Sequence, residues 1–364
     1  MKKQSFNWSE ILKFKGQYKF FIFLLLAAVI ISGCIRLGSA RPKSTAGVFK
    51  SFDKGNTWVE KNLFLHSGGT GSLGGVNVLN LAFDPQDRRA IYFASDAAGL
   101  LYSYDGTDSW RKADQVGNGR IEAVAVDPKN KCVVYATFAN TILKSTDCNR
   151  SWSETYVDTR ADKILTNLAI DSFNSLIIYA GNSAGDILKS VDGGNTWQVI
   201  NRLNDRITKI LISPKDTRII YVATRVKGLY KTTNAGGTWD DLNDGLKPYS
   251  GSLEFRGLVF DQTKDNSLLL AAKYGLLKSD DAGQTWNSIN LITPPASVDI
   301  YALAISPKNS AEIYYSTAST FYKTTDGGKN WITKRLPSGA VASYLLIDPI
   351  ETNIIYLGLL NPNR

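Results

Sequence analysis

One eight-residue pattern recurs seven times and constrains the fold of this chain more than any other feature. Each copy begins with Ser or Thr, has Asp or Asn at its third position and ends in Trp. The spacing of 42 to 52 residues between successive terminal tryptophans is typical of a four-stranded propeller blade and exceeds that of most solenoid repeats. The copies occupy residues 51–58, 103–110, 145–152, 190–197, 232–239, 279–286 and 324–331.

The residue types of the motif are those of a tight turn. The short carboxylate accepts hydrogen bonds from nearby backbone N–H groups, Gly at the fifth position supplies a positive φ, and Trp buries a large ring between blades. Thr107 and Asn149 replace that Gly in two copies, and Asn tolerates a positive φ. We therefore assign a structural role to Asp53, Asp105, Asp147, Asp192, Asn234, Asp281 and Asp326.

The segments around each motif predict the order of strands within a blade. Two strand-like segments joined by Asp-Pro or Ser-Pro precede a third strand, the motif and a fourth strand. After the N-terminal segment, the repeat region begins with a third strand at residues 46–50, and it ends with a first and a second strand at residues 343–347 and 354–358. The sequence thus predicts an all-β, seven-bladed propeller over residues 46–364, closed by C-terminal strands A and B pairing with N-terminal strands C and D.

The N-terminal residues form a separate unit. Five lysines precede an apolar run at residues 20–31 that is too short to span a bilayer. The run ends in Ile31, Ser32, Gly33 and Cys34, which resembles the lipobox of bacterial lipoproteins. We predict a signal peptide at residues 1–33, lipidation of Cys34 and a tether at residues 34–45. The alternative is an uncleaved signal anchor with an incidental Cys; either places the propeller on the extracytoplasmic side of a bacterial membrane, facing the periplasm or the cell surface.

Charge and cysteine content limit the kinds of partner and cofactor that we expect. The formal net charge of +9 falls to +5 without residues 1–33, which permits but does not require an acidic partner. Since no basic run is interleaved with aromatic residues, we expect no nucleic-acid partner.

Cys132 and Cys148 would lie at one end of two antiparallel strands, as a disulfide or as two unpaired thiols. His66 is the one histidine, so we expect no metal and no cofactor, and we expect a monomer.

The seven motifs resemble the Asp-box, or BNR, repeat of sialidases, sortilin-type receptors and several glycan-cleaving propellers. The resemblance covers almost all of the chain after Cys34 and implies a propeller whose motifs are peripheral and structural. A second resemblance is to the photosystem II stability and assembly factor family, whose members are exported seven-bladed propellers, some of them lipoproteins. That family carries an arginine-rich face, which implies a binding role for a similar face here.

Candidate binding residues cluster at the end of the blades opposite the Asp-boxes, where the D–A and B–C loops lie. Six cations and one tyrosine could form a positive rim for carboxylates, sulfates or an acidic protein segment, or they could be independent solvated charges. These rim residues are Arg120, Arg206, Arg225, Lys227, Arg256, Lys273 and Tyr274. The Gly-rich stretch within residues 59–76 could flex over a channel mouth or form a plain surface loop.

Two classes of function remain open. The first is an exported, membrane-anchored binding or scaffold protein that holds a protein or glycan, with an assembly-factor-like role. The alternative is a sialidase-like or xyloglucanase-like glycoside hydrolase that acts on extracellular glycans. No residue is assigned to catalysis: the loop acids Asp96, Asp186 and Asp299 are unpaired candidates at best.

Overall fold

The computed structural model describes residues 45–362 of the chain. These residues form seven four-stranded antiparallel sheets and one two-stranded hairpin. We number the strands along the chain and the blades by their Asp-boxes. Blade 1 starts with β1 (Gly47–Ser51) and β2 (Val59–Glu60), and the hairpin of β3 (Leu63–His66) and β4 (Gly69–Ser72) follows.

Each following blade runs from an innermost strand A to an outermost strand D. Blade 2 contains β5 (Val78–Asp84), β6 (Asp87–Ser95), β7 (Leu100–Ser103) and β8 (Arg111–Lys112). Blade 3 contains β9 (Val124–Asp127), β10 (Asn130–Phe138), β11 (Thr141–Ser145) and β12 (Ser153–Val157). Blade 4 contains β13 (Leu165–Ile170), β14 (Ile178–Asn182), β15 (Asp186–Ser190) and β16 (Gln198–Arg202). Blade 5 contains β17 (Ile207–Ile212), β18 (Ile220–Thr224), β19 (Leu229–Thr232) and β20 (Asp240–Asp241). Blade 6 contains β21 (Phe255–Phe260), β22 (Leu268–Ala272), β23 (Gly275–Ser279) and β24 (Asn287–Ile289). Blade 7 contains β25 (Ala302–Ser306), β26 (Asn309–Ser316), β27 (Thr320–Thr324) and β28 (Ile332–Arg335). The chain returns to blade 1 with β29 (Val341–Ile347) and β30 (Ile355–Leu360).

The ring closes inside blade 1. Its strand order is β2-β1-β30-β29, and β1 pairs antiparallel with β30, with Val48 opposite Gly358. Each inner strand packs against the inner strand of the next blade, and β29 packs against β5. The predicted fold and its closure by the two chain ends are confirmed.

The core lies between blades rather than within them. Among residues 45–362, seven apolar clusters each join two neighbouring blades. Phe49, Tyr314 and Leu357, for example, are buried together between blades 7 and 1. Because burial of apolar area drives this packing, no blade can bury its faces without its neighbours.

All seven Asp-boxes share one hydrogen-bond pattern. In blade 4 the Ser190 hydroxyl accepts from Gly194 N and donates to Asp192, which also accepts from Thr196 N. Bonds from Thr196 lower the pKa of Asp192 to about 2. Asn234 keeps the same acceptor geometry in blade 5. Thr107, which replaces Gly, adopts a φ of 78° and is held by the Ser103 hydroxyl.

A second repeated contact joins strands of one blade to the Asp-box of the next. In blade 3 the Tyr135 hydroxyl and the Lys144 ammonium both donate to the carbonyl of Gly193, each at 2.7 Å. Tyr179 and Lys189 contact Ala235 O in the same way one blade further on. These strand B tyrosines and strand C lysines tie neighbouring blades together on the Asp-box side.

The Gly-rich stretch is a docked hairpin. Leu65 N donates to Trp110 O, Trp110 N donates to Leu63 O, and the Trp110 indole donates to Lys61 O at 2.7 Å. The hairpin thus extends the outer edge of blade 2, and Trp110 is fully buried. Of the two alternatives for this stretch, flexing over the channel mouth is excluded, because these bonds hold it against the outer strand as a surface hairpin.

Cys132 and Cys148 form a disulfide between strand B and the Asp-box of blade 3. Cys148 N also donates to Cys132 O at 3.1 Å. The prediction of a bond between these two residues is therefore supported by the structure. Residues 45–362 contain no helix long and apolar enough to cross a bilayer, and Cys34 with the predicted signal peptide lies outside the described residues.

Candidate functional site: the central channel

A channel of about 580 Å³ runs between the inner strands and is lined by residues from all seven blades. A β-bulge in strand A of five blades places one extra residue on the channel side. We define the mouth ring as these extra residues together with Glu122 and Tyr301, which line the channel just before strand A of blades 3 and 7. The neck ring consists of the channel-lining residues that directly follow the mouth ring. The mouth ring is Leu79, Glu122, Thr166, Thr208, Arg256, Tyr301 and Ser343, and the neck ring is Asn80, Asn167, Lys209, Gly257, Ala302 and Tyr344.

The two halves of the channel differ in polarity. The end near the D–A and B–C loops holds the mouth and neck rings, which supply charged, amide and hydroxyl groups. The other end is lined mainly by apolar side chains such as Phe83, Leu211, Phe260 and Ile305. A concave site with a few convergent polar groups above apolar walls is typical of ligand binding.

Glu122 is the one carboxylate among the lining residues and is paired twice. Its Oε1 accepts from Arg120 Nε at 2.7 Å and from Arg206 Nη2 at 2.9 Å. Only 13% of the Glu122 side chain is exposed, so both bonds are shielded from solvent more than a surface pair would be. Two rim residues therefore meet at one acid.

Arg256, in the mouth ring, donates to Asp299 at 2.9 Å and lies 3.8 Å from Glu254. Glu254 also accepts from Lys273 at 3.1 Å. Lys209, in the neck ring, differs from these cations because no hydrogen bond or ion pair joins its side chain to any residue within 45–362. The lining as a whole carries three cations and one carboxylate, a formal charge of +2.

The remaining rim residues lie away from the channel lining. Arg225 Nε is 4.0 Å from Asp205, whose other oxygen accepts from the backbone N–H of Lys227. Tyr274 packs edge-on against Tyr249 and borders a separate groove of about 310 Å³. The seven predicted residues thus fall into small groups, of which Arg120, Arg206 and Arg256 surround the channel mouth.

A second polar cluster lies between blades 3 and 4 on the same side of the molecule. Arg160 binds the Asp158 carboxylate with two nitrogens and also contacts Asp186. Asn182 Nδ2 lies 3.1 Å from Asp158 and 2.9 Å from Asp186, so the two carboxylates are within about 6 Å of each other. Only 3% of either carboxylate side chain is exposed.

Hydrogen bonding keeps both acids ionised. The Arg160 side chain is the main cause of the lowered pKa of Asp158. Burial tends to raise the pKa of Asp186, but bonds from Arg160 and Asn182 outweigh it and the net pKa is lowered. Arg202 also donates to Asp186 at 3.2 Å, so two carboxylates and two guanidinium groups form one hydrogen-bonded network.

Each of the three loop acids has a hydrogen-bond partner, and the description of Asp186 as unpaired is wrong because the Asp158 carboxylate lies within about 6 Å of it. Asp186 is bound by Arg160 and Asn182, Asp299 by Arg256, and Asp96 accepts from Asn77 at 2.6 Å. Their partners lie 4 to 43 positions away in the sequence, which a strand pattern does not reveal. In the described part of the chain, no three His, Cys, Asp or Glu side chains gather in a way suited to a metal ion.

Comparisons with known proteins bear on the fold of the chain. No protein-family model matches the chain. A xyloglucanase from Hypocrea jecorina (strain QM6a) is 33% identical over an alignment of 152 residues, which covers 35% of this chain and 18% of that enzyme. This chain therefore spans less than a fifth of the enzyme's length.

Two solved structures resemble most of the propeller. The GH74 xyloglucanase from Xanthomonas campestris matches with a TM-score of 0.64 at 19% identity, over 78% of this chain and 51% of that one. A structure of YCF48 bound to a D1 peptide matches with a TM-score of 0.60 at 16% identity, over 79% of this chain and 94% of that one. At these identities the similarity shows a shared propeller fold.

Proposed function

We propose that this chain is a non-enzymatic binding protein that holds an extended protein segment at the polar end of its channel. The channel itself carries the proposal: it is concave, polar and cationic at the loop-bearing end, and apolar beyond the neck ring. An extended peptide can place its end or one side chain in such a channel while its backbone bonds the polar loops around it.

The comparison with YCF48 supports a protein ligand. That propeller is matched over almost its whole length, and its structure contains a bound D1 peptide. The similarity to xyloglucanases covers only about half of the Xanthomonas enzyme. An assembly-factor-like role, in which a propeller holds one segment of a larger membrane protein, suits this comparison best.

The proposal includes attachment to the membrane. Cys34, lipidated after cleavage of residues 1–33, would hold the propeller by the tether of residues 34–45 on the extracytoplasmic side. Expression of the full chain with a palmitate analogue tests this part. Label should be incorporated in the native chain and lost in Cys34→Ala, whereas label retained in that variant would contradict the anchor.

A peptide array tests the binding function. The detergent-solubilised full chain is applied to random 12-residue peptides, together with Ser343→Trp and Thr333→Trp. The first substitution puts an indole in the mouth ring, and the second puts it on exposed β28. We expect binding that Ser343→Trp abolishes and Thr333→Trp retains, with thermal denaturation confirming that both variants fold. Binding that survives in Ser343→Trp would contradict a channel site.

Glycoside hydrolysis is a second candidate because Asp158 and Asp186 lie as close as the two acids of a retaining glycosidase. Against it, hydrolysis requires one carboxyl with a raised pKa as general acid, and both pKa values are lowered here. A reducing-end assay on xyloglucan decides between the two. Turnover that Asp186→Asn abolishes would replace the binding proposal.

A further inference from the structure

Lys209 stands out among the channel cations by its position and its lack of a partner. It lies in the neck ring, one step deeper than the mouth ring, and is partly buried. Arg206 and Arg256, which also line the channel, each donate to a carboxylate within 3 Å. Within residues 45–362, no carboxylate lies within ion-pair distance of Lys209. Its positive charge is therefore directed into the open space of the channel.

The other residues of the neck ring are neutral. Across the channel, on blades 2 and 1, Asn80 and Tyr344 supply an amide and a phenol, and among the described residues neither side chain forms a hydrogen bond. Both groups are hydrogen-bond donors, so this part of the channel offers donors and no carboxylate. A carboxylate accepts several such bonds at once, and bonds to a charged acceptor are the stronger ones.

Electrostatics favours an anion at this depth. A cleft with walls of low dielectric focuses the field of its charges, and the lining has an excess of two positive charges. Ionic interactions in such a site are also less weakened by water than those at the surface. Glu122 does not neutralise this excess at the neck, because its bonds go to Arg120 and Arg206 at the mouth.

We infer that Lys209 anchors a carboxylate of the bound protein segment, so that the ligand is an acidic segment. This inference rests on the proposed binding function and adds the chemical class of its ligand. The acidic side chain passes the mouth ring and meets the Lys209 ammonium. Arg206 and Arg256 keep their own carboxylates and border the entrance.

Fluorescein-labelled peptides of ten glutamates or ten glutamines test the inference on the full chain at low salt. The variants are Lys209→Gln and Lys334→Gln, which remove the same charge from the channel and from exposed β28. We expect the glutamate peptide to bind, and Lys209→Gln to weaken it about tenfold, the value of a hydrogen bond between charged groups. Lys334→Gln should change it less than about twofold. Lys209→Arg should retain binding, which separates loss of charge from loss of fold.

The outcomes distinguish the inference from the function on which it rests. Equal binding of both peptides, unaffected by Lys209→Gln, would overturn the acidic ligand and leave peptide binding standing. An array and two probe peptides that all fail to bind would overturn both. Competition by oligogalacturonate that depends on Lys209, without binding of the glutamate peptide, would overturn the inference in favour of a glycan carboxylate.

Discussion

Arg206 Nη2 donates to Glu122 Oε1 at 2.9 Å although the two residues belong to blades 5 and 3. The guanidinium passes over blade 4, whose mouth-ring residue is the small Thr166. The contact is therefore a bridge across part of the channel entrance. The position of these charges at the entrance therefore depends on how blades 3, 4 and 5 are spaced.

The bridge predicts that removal of the Glu122 charge strengthens binding of an acidic peptide. Glu122→Gln keeps the shape and one acceptor but frees Arg120 and Arg206 to interact with the ligand. We expect about a two- to fivefold tighter complex with the glutamate peptide at low salt, and a smaller gain at high salt. Fluorescence anisotropy measures it, and weaker binding would contradict a role for this charge at the entrance.

Loss of Arg160 should destabilise the protein, because Asp158 would remain buried without a cation and Asp186 would keep only Arg202. We expect Arg160→Met to lower the free energy of unfolding by about 1–3 kcal/mol, the cost of leaving buried polar groups unsatisfied. Urea denaturation measures the change. Arg150→Met, on an exposed Asp-box loop, is the control and should be near neutral. Equal stability of the two variants would show that the cluster contributes little.

The Asp-boxes predict a loss of stability in acid. Hydrogen bonds from Ser151 and Thr196 lower the pKa of Asp147 and Asp192 from 3.8 to about 2. A lowered native pKa stabilises the fold above the unfolded-state pKa of about 4, and this stabilisation is lost as the pH falls toward 2.

The melting temperature should therefore fall between pH 4 and pH 2. The double variant Asp147→Asn and Asp192→Asn should fall less steeply, because Asn234 shows that an amide keeps the turn without titrating. Identical slopes for the native chain and the variant would exclude these two carboxylates as the cause.

The disulfide of blade 3 predicts a further stability change. It closes a loop with a sequence separation of 16, for which chain entropy suggests about 3 kcal/mol. Cys132→Ser with Cys148→Ser should lower the free energy of unfolding by up to that amount, as measured in urea. The native chain denatured with a thiol reductant should show the same loss, and no loss in either case would contradict a stabilising bond.

The sequence predicted the propeller because its repeat contains turn chemistry that acts locally. Ser190, Asp192 and Thr196 bond within one loop, so their spacing alone indicates the turn. Closure was also predictable, because the first and the last strands of the repeat region each form only half of a blade, and the two halves complete one sheet. Local patterns of this kind can be recognised in the sequence without knowing which distant residues are in contact.

The channel residues could not be found in this way. Strict alternation would place Lys209 on the same side of β17 as the buried Ile207, but the bulge between them turns Lys209 toward the channel. The bridge from Arg206 to Glu122 joins residues 84 positions apart. An alignment of the seven blades, with Lys209 set against Asn80 and Asn167, is the signal that would have revealed the neck ring.

Photocrosslinking tests the central claim, that the channel holds an acidic protein segment, most directly. The glutamate peptide with a terminal benzophenone is irradiated with the detergent-solubilised full chain, and mass spectrometry locates the adducts. The account predicts adducts on mouth-ring and neck-ring residues such as Tyr301, Tyr344 and Lys209, reduced by excess unlabelled peptide. Adducts concentrated on the outer strands or the Asp-box loops would contradict it.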